Sequence, residues 1–176
     1  RGSGPFPIVV DLHGGAWCRG DRTDDTPINE PLARSGVLVA ALDFRQPPDG
    51  GHTAAPADIN YGIRWLKSRA AQWKGRPDRV GVMGISSGGQ QAMMGAFRCA
   101  DPRYTSIPLA DNPSIDAAVQ CVILCWPVID PLGRYEYAKG LEGTDRPGAD
   151  MAERWIESHD KYWGSEQAMA DGAVAR

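Results

Sequence analysis

The sequence predicts an α/β fold, a mostly parallel sheet covered by helices on both faces as a three-layer α/β/α sandwich. Three observations predict it. Four apolar runs begin at Phe6, Val37, Arg79 and Ala117, and they are continuous rather than alternating, as suits strands buried on both faces. Helical patterns lie between them, so the order is strand, helix, strand, helix, strand, helix, strand, which right-handed crossovers turn into a parallel sheet. Two of the strands break directly into glycine loops, HGGAW and GISSGG.

In chain order, FPIVVDLHGG from Phe6 is an apolar strand entering the first glycine loop. NEPLARSG, Asn29 to Gly36, reads as a short helix ended by glycine. VLVAALDFR, Val37 to Arg45, is the second strand. PADINYGIRWLKSRAAQW, Pro56 to Trp73, sets Ile59, Ile63, Leu66 and Ala70 on one helical face, and Pro56 suits a first turn. RVGVMGISSGG from Arg79 is the third strand with its turn, and Gly88 to Cys99 is a small-residue helix fit for a central, packed position. AAVQCVILCWPVID from Ala117 is the fourth strand. Beyond Asp130 no strand-like run follows. Arg134 to Lys139 and Met151 to Trp163 read as helices rich in Tyr, Trp and charge, with DRPGAD as a loop between them. The expected division is a partial core over residues 1–130 and a helical segment over residues 131–176.

Composition excludes several classes. At 176 residues, 42% hydrophobic, 23% charged and net charge −3, the chain is long enough for one domain and carries no basic excess for nucleic acid or a membrane surface. No run approaches the ~20 apolar residues of a membrane span. The four cysteines have no zinc spacing. Cys121 and Cys125 sit on one run about 13 Å apart, too far for a disulfide, and are expected to be buried thiols. The absence of a visible signal peptide and of a disulfide pattern favours a cytoplasmic protein. The opening Arg1-Gly2-Ser3-Gly4-Pro5 reads as the interior of a longer protein or a scar joined to one.

Gly84-Ile85-Ser86-Ser87-Gly88 fits G-x-S-x-G with Ser86 at its centre, after a strong strand and before a small-residue helix. A serine on such a sharp turn is exposed as a nucleophile, glycines let strand and helix pass closely, and the helix N-terminus offers N–H groups to a developing oxyanion. Ser87 would contribute its N–H, its hydroxyl serving the helix terminus or packing. The loop His13-Gly14-Gly15-Ala16-Trp17 can aim further N–H groups at the same oxygen. Gly15 and Ala16 are the candidate donors, with Gly14 keeping the turn tight.

With these two motifs about seventy residues apart, the chain resembles the α/β-hydrolase superfamily. More narrowly it is similar to the esterase/lipase group with an HGG loop, the hormone-sensitive-lipase-like and acetyl-esterase-like enzymes, and to the neighbouring kynurenine formamidases. The resemblance runs from Phe6 to about Asp130, where WPVID resembles the end of the sixth strand before a helical cap. It implies serine-dependent hydrolysis of a small or short-acyl carboxylic ester through an acyl-enzyme, with no metal and no organic cofactor. An amidase or formamidase, or a non-catalytic binding protein on the same fold, are the alternatives. Trp17 and Trp126 are candidate substrate-binding residues; with Trp155 and Trp163 they could wall a pocket, and each of the four could equally be ordinary core or cap packing.

The resemblance also implies the order serine, acid, histidine. His13 precedes the serine and is expected to shape the loop. His52, in QPPDGGHTA, reads as a solvated loop residue. His159 follows Ser86, so Ser86, Asp130 and His159 can be written as a triad, but no strand separates Asp130 from His159. Asp130 is instead expected to end its strand and cap the next element, and His159 to be a charged-face or cap residue of a helix. The expectation is therefore an incomplete hydrolase, lacking two early strands and the strands bearing acid and base. The rest of the chain, or a second chain, would complete the sheet. VILCW and VGVMG would lie at or near an unpaired edge, and such a segment should need a partner to be stable and active.

Overall fold

In the computed structural model, which describes residues 2–174, the sheet has four parallel strands in the order β2-β1-β3-β4. They are β1 (Phe6–Leu12), β2 (Leu38–Leu42), β3 (Gly75–Ile85) and β4 (Cys121–Cys125). The helices are α1 (Thr26–Arg34), α2 (Ala54–Arg69), α3 (Ser87–Phe97), α4 (Pro131–Lys139), α5 (Ala152–Trp163) and α6 (Glu166–Asp171). This is the three-layer sandwich with a mostly parallel sheet.

The boundaries shift for local reasons. β3 begins at Gly75 rather than Arg79, because Gly75 already pairs with Phe6 ahead of a register irregularity. α1 begins at Thr26, with Pro27 in its first turn, where a missing N–H costs nothing. Pro56 lies inside α2, which starts two residues earlier, and the helix tightens into a 3₁₀ turn at Ala70–Trp73. β4 is shorter than its apolar run. Upstream of it, the Lys67 ammonium donates to the Asp116 and Ala118 carbonyls and to the Asp116 carboxylate, so those acceptors go to a side chain and not to a ladder. α6, capped by the Ser165 hydroxyl accepting from Ala168 N–H at 3.2 Å, is an element the periodicity does not announce.

One core joins sheet and tail. Ile8, Val10, Leu12, Val80 and Val82 from the central strands pack with Ile59 and Ile63 of α2 and with Tyr162, Trp163 and Met169 of α5 and α6. The tail is thus docked by aromatic packing on the sheet's own core, with Val174 N–H also donating to Ile129 O at 3.3 Å. β1 and β3 occupy the middle of the sheet, and each ends in a glycine loop, which brings the two motifs together. Leu12 pairs with Gly84. Among the described residues no helix is long and apolar enough to cross a membrane. All four cysteines are free, and Cys121 is exposed rather than buried, because β4 is the last strand of the described sheet.

Candidate active site

Ser86 sits where β3 turns into α3, with φ 55° and ψ −116°. That conformation is strained for a non-glycine residue and is held only by surrounding structure. Ser86 N–H donates to Cys125 O at 2.9 Å, while Ser86 O accepts from Gln90 N–H at 3.3 Å and Val128 N–H at 3.2 Å. The flanking glycines explain the turn. A Cβ on Gly88 would lie 2.0 Å from Leu12 O, and one on Gly84 would lie 2.2 Å from Gly88 O. Strand, elbow and helix therefore approach to backbone contact, which any side chain would block. The Ser86 hydroxyl makes no hydrogen bond among the described residues.

The glycine loop crosses the elbow. A Cβ on Gly14 would stand 3.5 Å from Ser86 Cβ. Gly15, Ala16 and Trp17 take φ 111°, 53° and 61°, three successive left-handed residues. At Gly15 a Cβ would fall 2.0 Å from Arg19 O, so the position is closed to other residues. Ala16 accepts its positive φ without glycine's freedom. The backbone N–H groups of Gly14, Gly15, Ala16 and Ser87 have no hydrogen-bond partner among the described residues. The Ser87 hydroxyl accepts from Trp17 N–H at 3.1 Å and so ties the loop to the elbow.

The other expected site residues separate. Trp126, with φ 39°, is 75% exposed just after β4 and free to meet a ligand. Trp17 is 2% exposed. Its ring contacts His159, Tyr162 and Trp163, and its indole N–H donates to Gln90 Oε1 at 3.1 Å. The tail takes up the Trp17 ring as core, which is the packing alternative for this residue. Trp163 is buried in the same packing, and Trp155 lies under the Arg134 guanidinium at 5.0 Å.

No histidine bonds to Ser86. His13 is buried, stacked on Phe44 at 4.5 Å, with Nδ1 2.8 Å from Gly14 O, and so shapes the loop. His52 is not solvated. Trp163 and Tyr104 enclose its ring, and Nε2 lies 3.4 Å from an Asp171 carboxylate oxygen. Burial lowers its pKa although Asp171 pulls the other way. His159 is buried too, not on a charged face, with Nδ1 2.6 Å from Trp155 O and its pKa lowered by burial. Asp130 caps α4, accepting from Gly133 N–H at 2.9 Å. Ser86, Asp130 and His159 are not assembled as a triad.

A buried polar group beneath the loop had only one sequence signal, the charge of Asp11 inside an apolar run. Asp11 accepts from Asn29 Nδ2 at 2.6 Å and lies against Asp25. Burial, then the neighbouring Asp11 charge, pushes Asp25 up to about 6. Asp11 Oδ1, Asp25 Oδ2, Asn29 Oδ1 and His13 Nε2 are all buried without a partner in the structure. Among the described residues no group of His, Cys, Asp and Glu is placed to hold a metal ion. A cleft of about 560 Å³ opens beside the loop, lined by Cys18, Arg19, Phe44, Arg45, Gln46 and Pro47. Ser86 does not line it, so cleft size does not locate the chemistry.

A family model described as BD-FAE matches residues 1–161. The esterase LipC of Mycobacterium tuberculosis is 26% identical over 117 residues, 65% of this chain and 29% of LipC. The structure of esterase B from Lactobacillus rhamnosis superposes with a TM-score of 0.71 at 26% identity, covering 96% of this chain and 50% of that one. The butyrate-bound esterase Est2 of Thermogutta terrifontis gives a TM-score of 0.66 at 26% identity, covering 96% and 57%. The chain spans about half or less of the length of these relatives.

Proposed function

Since the chain belongs to the BD-FAE family and has the α/β-hydrolase esterase fold, we propose that it carries the nucleophile and oxyanion hole of a serine-dependent carboxylic ester hydrolase. Ser86 attacks the acyl carbonyl, and the Gly15, Ala16 and Ser87 N–H groups receive the oxyanion, each worth on the order of 3 kcal/mol by analogy with single-donor deletions. Gly14 keeps the loop against the elbow. The carrying observation is the strained Ser86, its hydroxyl without a hydrogen bond among the described residues, beside a loop whose Gly14, Gly15 and Ala16 N–H groups have no partner there either. A base takes the serine proton and returns it to the leaving alcohol, and water then hydrolyses the acyl-enzyme. We assign that base and its acid to residues outside this chain, because each of its histidines is engaged away from Ser86. The exposed β4 side, with Trp126 beside it, is where the remainder of the hydrolase or a second chain would complete the sheet. The substrate is a small or short-acyl ester, in keeping with the butyrate-bound relative.

The test is labelling with a fluorophosphonate and turnover of a short p-nitrophenyl ester, using the protein as its gene encodes it. The label should map to Ser86 by peptide mass spectrometry and vanish in Ser86→Ala. Faster turnover of the matched anilide or formanilide than of the ester would move the reading to an amidase or formamidase. Absence of both label and turnover would leave a binding protein on a hydrolase fold.

A further inference from the structure

Gln90 is 1% exposed and lies on α3 four residues after Ser86, to whose carbonyl its backbone N–H donates. Its side chain is used at both ends. Oε1 accepts from the Trp17 indole N–H at 3.1 Å, and Nε2 donates to Gly172 O at 3.1 Å. The orientation is set by chemistry: an indole N–H only donates and a carbonyl only accepts, so the reverse amide orientation would lose both bonds. One turn earlier on α3, Ser87 holds the Trp17 backbone. Trp17 is therefore gripped at backbone and ring from one helix, and it ends the three-residue left-handed stretch that presents the Gly15 and Ala16 N–H groups. A strained stretch of this kind persists only where tertiary contacts over-determine it.

We propose that Gln90 is a positioning residue: through Trp17 it sets the oxyanion loop over Ser86, and through Gly172 it makes that setting depend on the docked tail. The catalytic part of this inference rests on the proposed function above, whereas the positioning part does not. A buried amide bridging loop and tail makes loop geometry sensitive to one side chain that touches neither substrate nor reacting atoms.

The test compares Gln90→Met, Gln90→Glu and Gln91→Met in the protein as its gene encodes it. Gln91 is the control, an equally buried amide on the same helix that donates to the Tyr162 hydroxyl and not to the loop. Gln90→Met should speed backbone hydrogen exchange of residues 13–18 by about tenfold or more relative to Gln91→Met. It should also lower kcat for the p-nitrophenyl ester by about ten- to a hundredfold with KM within about threefold, as for a small misplacement of catalytic groups. Gln90→Glu reproduces both hydrogen bonds only when its carboxyl is protonated, so its activity and loop protection relative to wild type should rise as pH falls. Loop exchange in Gln90→Met equal to that in Gln91→Met would overturn the proposal. So would a Gln90→Glu to wild-type ratio flat in pH, a readout that remains should Gln90→Met fail to fold. A wild-type protein without label or turnover refutes the hydrolase reading alone, and the exchange comparison still decides the role of Gln90.

Discussion

The two flanks of β3 differ sharply. Toward β1 the elbow is closed. Leu12 O occupies the place of a Gly88 side chain, Gly14 lies on the Ser86 Cβ, and Trp17 is bonded to Ser87 and Gln90. Toward β4 the backbone ladder continues, but Ile123 and Leu124 are about two-fifths exposed and Trp126 and Ile129 more so. Both flanks have strongly apolar sequences, yet only one is buried. The closed flank holds the Gly14, Gly15, Ala16 and Ser87 N–H groups without a partner among the described residues, and under the proposed function these would receive the oxyanion. On the open flank, among the described residues, no histidine is hydrogen-bonded to Ser86. The elbow is thus packed closely on one side and left open on the other.

The largest effect that would break this contrast concerns the nucleophile. Ser86→Ala should lower ester turnover by about ten-thousandfold or more and leave the Tm within about 2 °C, read by p-nitrophenyl ester kinetics and calorimetry. Turnover that survives would place the chemistry elsewhere. Next comes the closed flank itself. Gly88→Ala forces a methyl into Leu12 O and should cost more than about 3 kcal/mol in urea unfolding or prevent folding. A well-folded variant would mean that strand and helix can part.

The two flanks can then be compared by cavity cost. Ile8→Ala, at a fully buried position, should cost about 2–5 kcal/mol, whereas Ile123→Ala should cost under about 1 kcal/mol in this chain alone. In an assembly that covers β4 the second value should rise toward the first, and equal values in both settings would rule out a covered flank.

The smallest effect is in pH. The Asp25 carboxyl sits near 6, above the 3.8 of an unfolded chain, so between about pH 4 and 6 the native state holds more protons and stability falls as pH rises. Asp25→Asn lacks that loss. Its stability relative to wild type should therefore be greater at pH 7 than at pH 4, by up to about 2 kcal/mol once partial solvent screening is allowed for. Equal differences at both pH values would show that Asp25 is not held as a protonated acid. Asp101 has the opposite sign. Arg103 holds it down at about 2, and its contribution is lost only as pH falls below about 4.

Legibility in the sequence divides along the same line. β1, β3, the elbow and the loop declare themselves because apolar runs and glycines act locally, and the clash of a Gly88 methyl with Leu12 O is the physical content of that motif. The roles of Trp17, His52 and His159 are not legible, since each ring has a partner more than a hundred positions away in sequence, Trp17 with His159 and His52 with Trp163. Gln90 carried a faint signal, a polar pair inside an otherwise small and apolar helix. The short α6 had none beyond Ser165, because six residues show no full period.

The pairing of β1 with β3 also bears on when the Ser86 turn takes its shape. β2 and two helices separate them in the chain, and the strands are parallel, so a long stretch of chain must close into a loop before Leu12 can meet Gly84. Such non-local pairing is slow, because loop closure precedes its reward. Until it happens Ser86 has no reason to adopt φ 55° and is an ordinary hydroxyl in a flexible turn. The strained geometry of Ser86 therefore depends on a non-local contact that is slow to form.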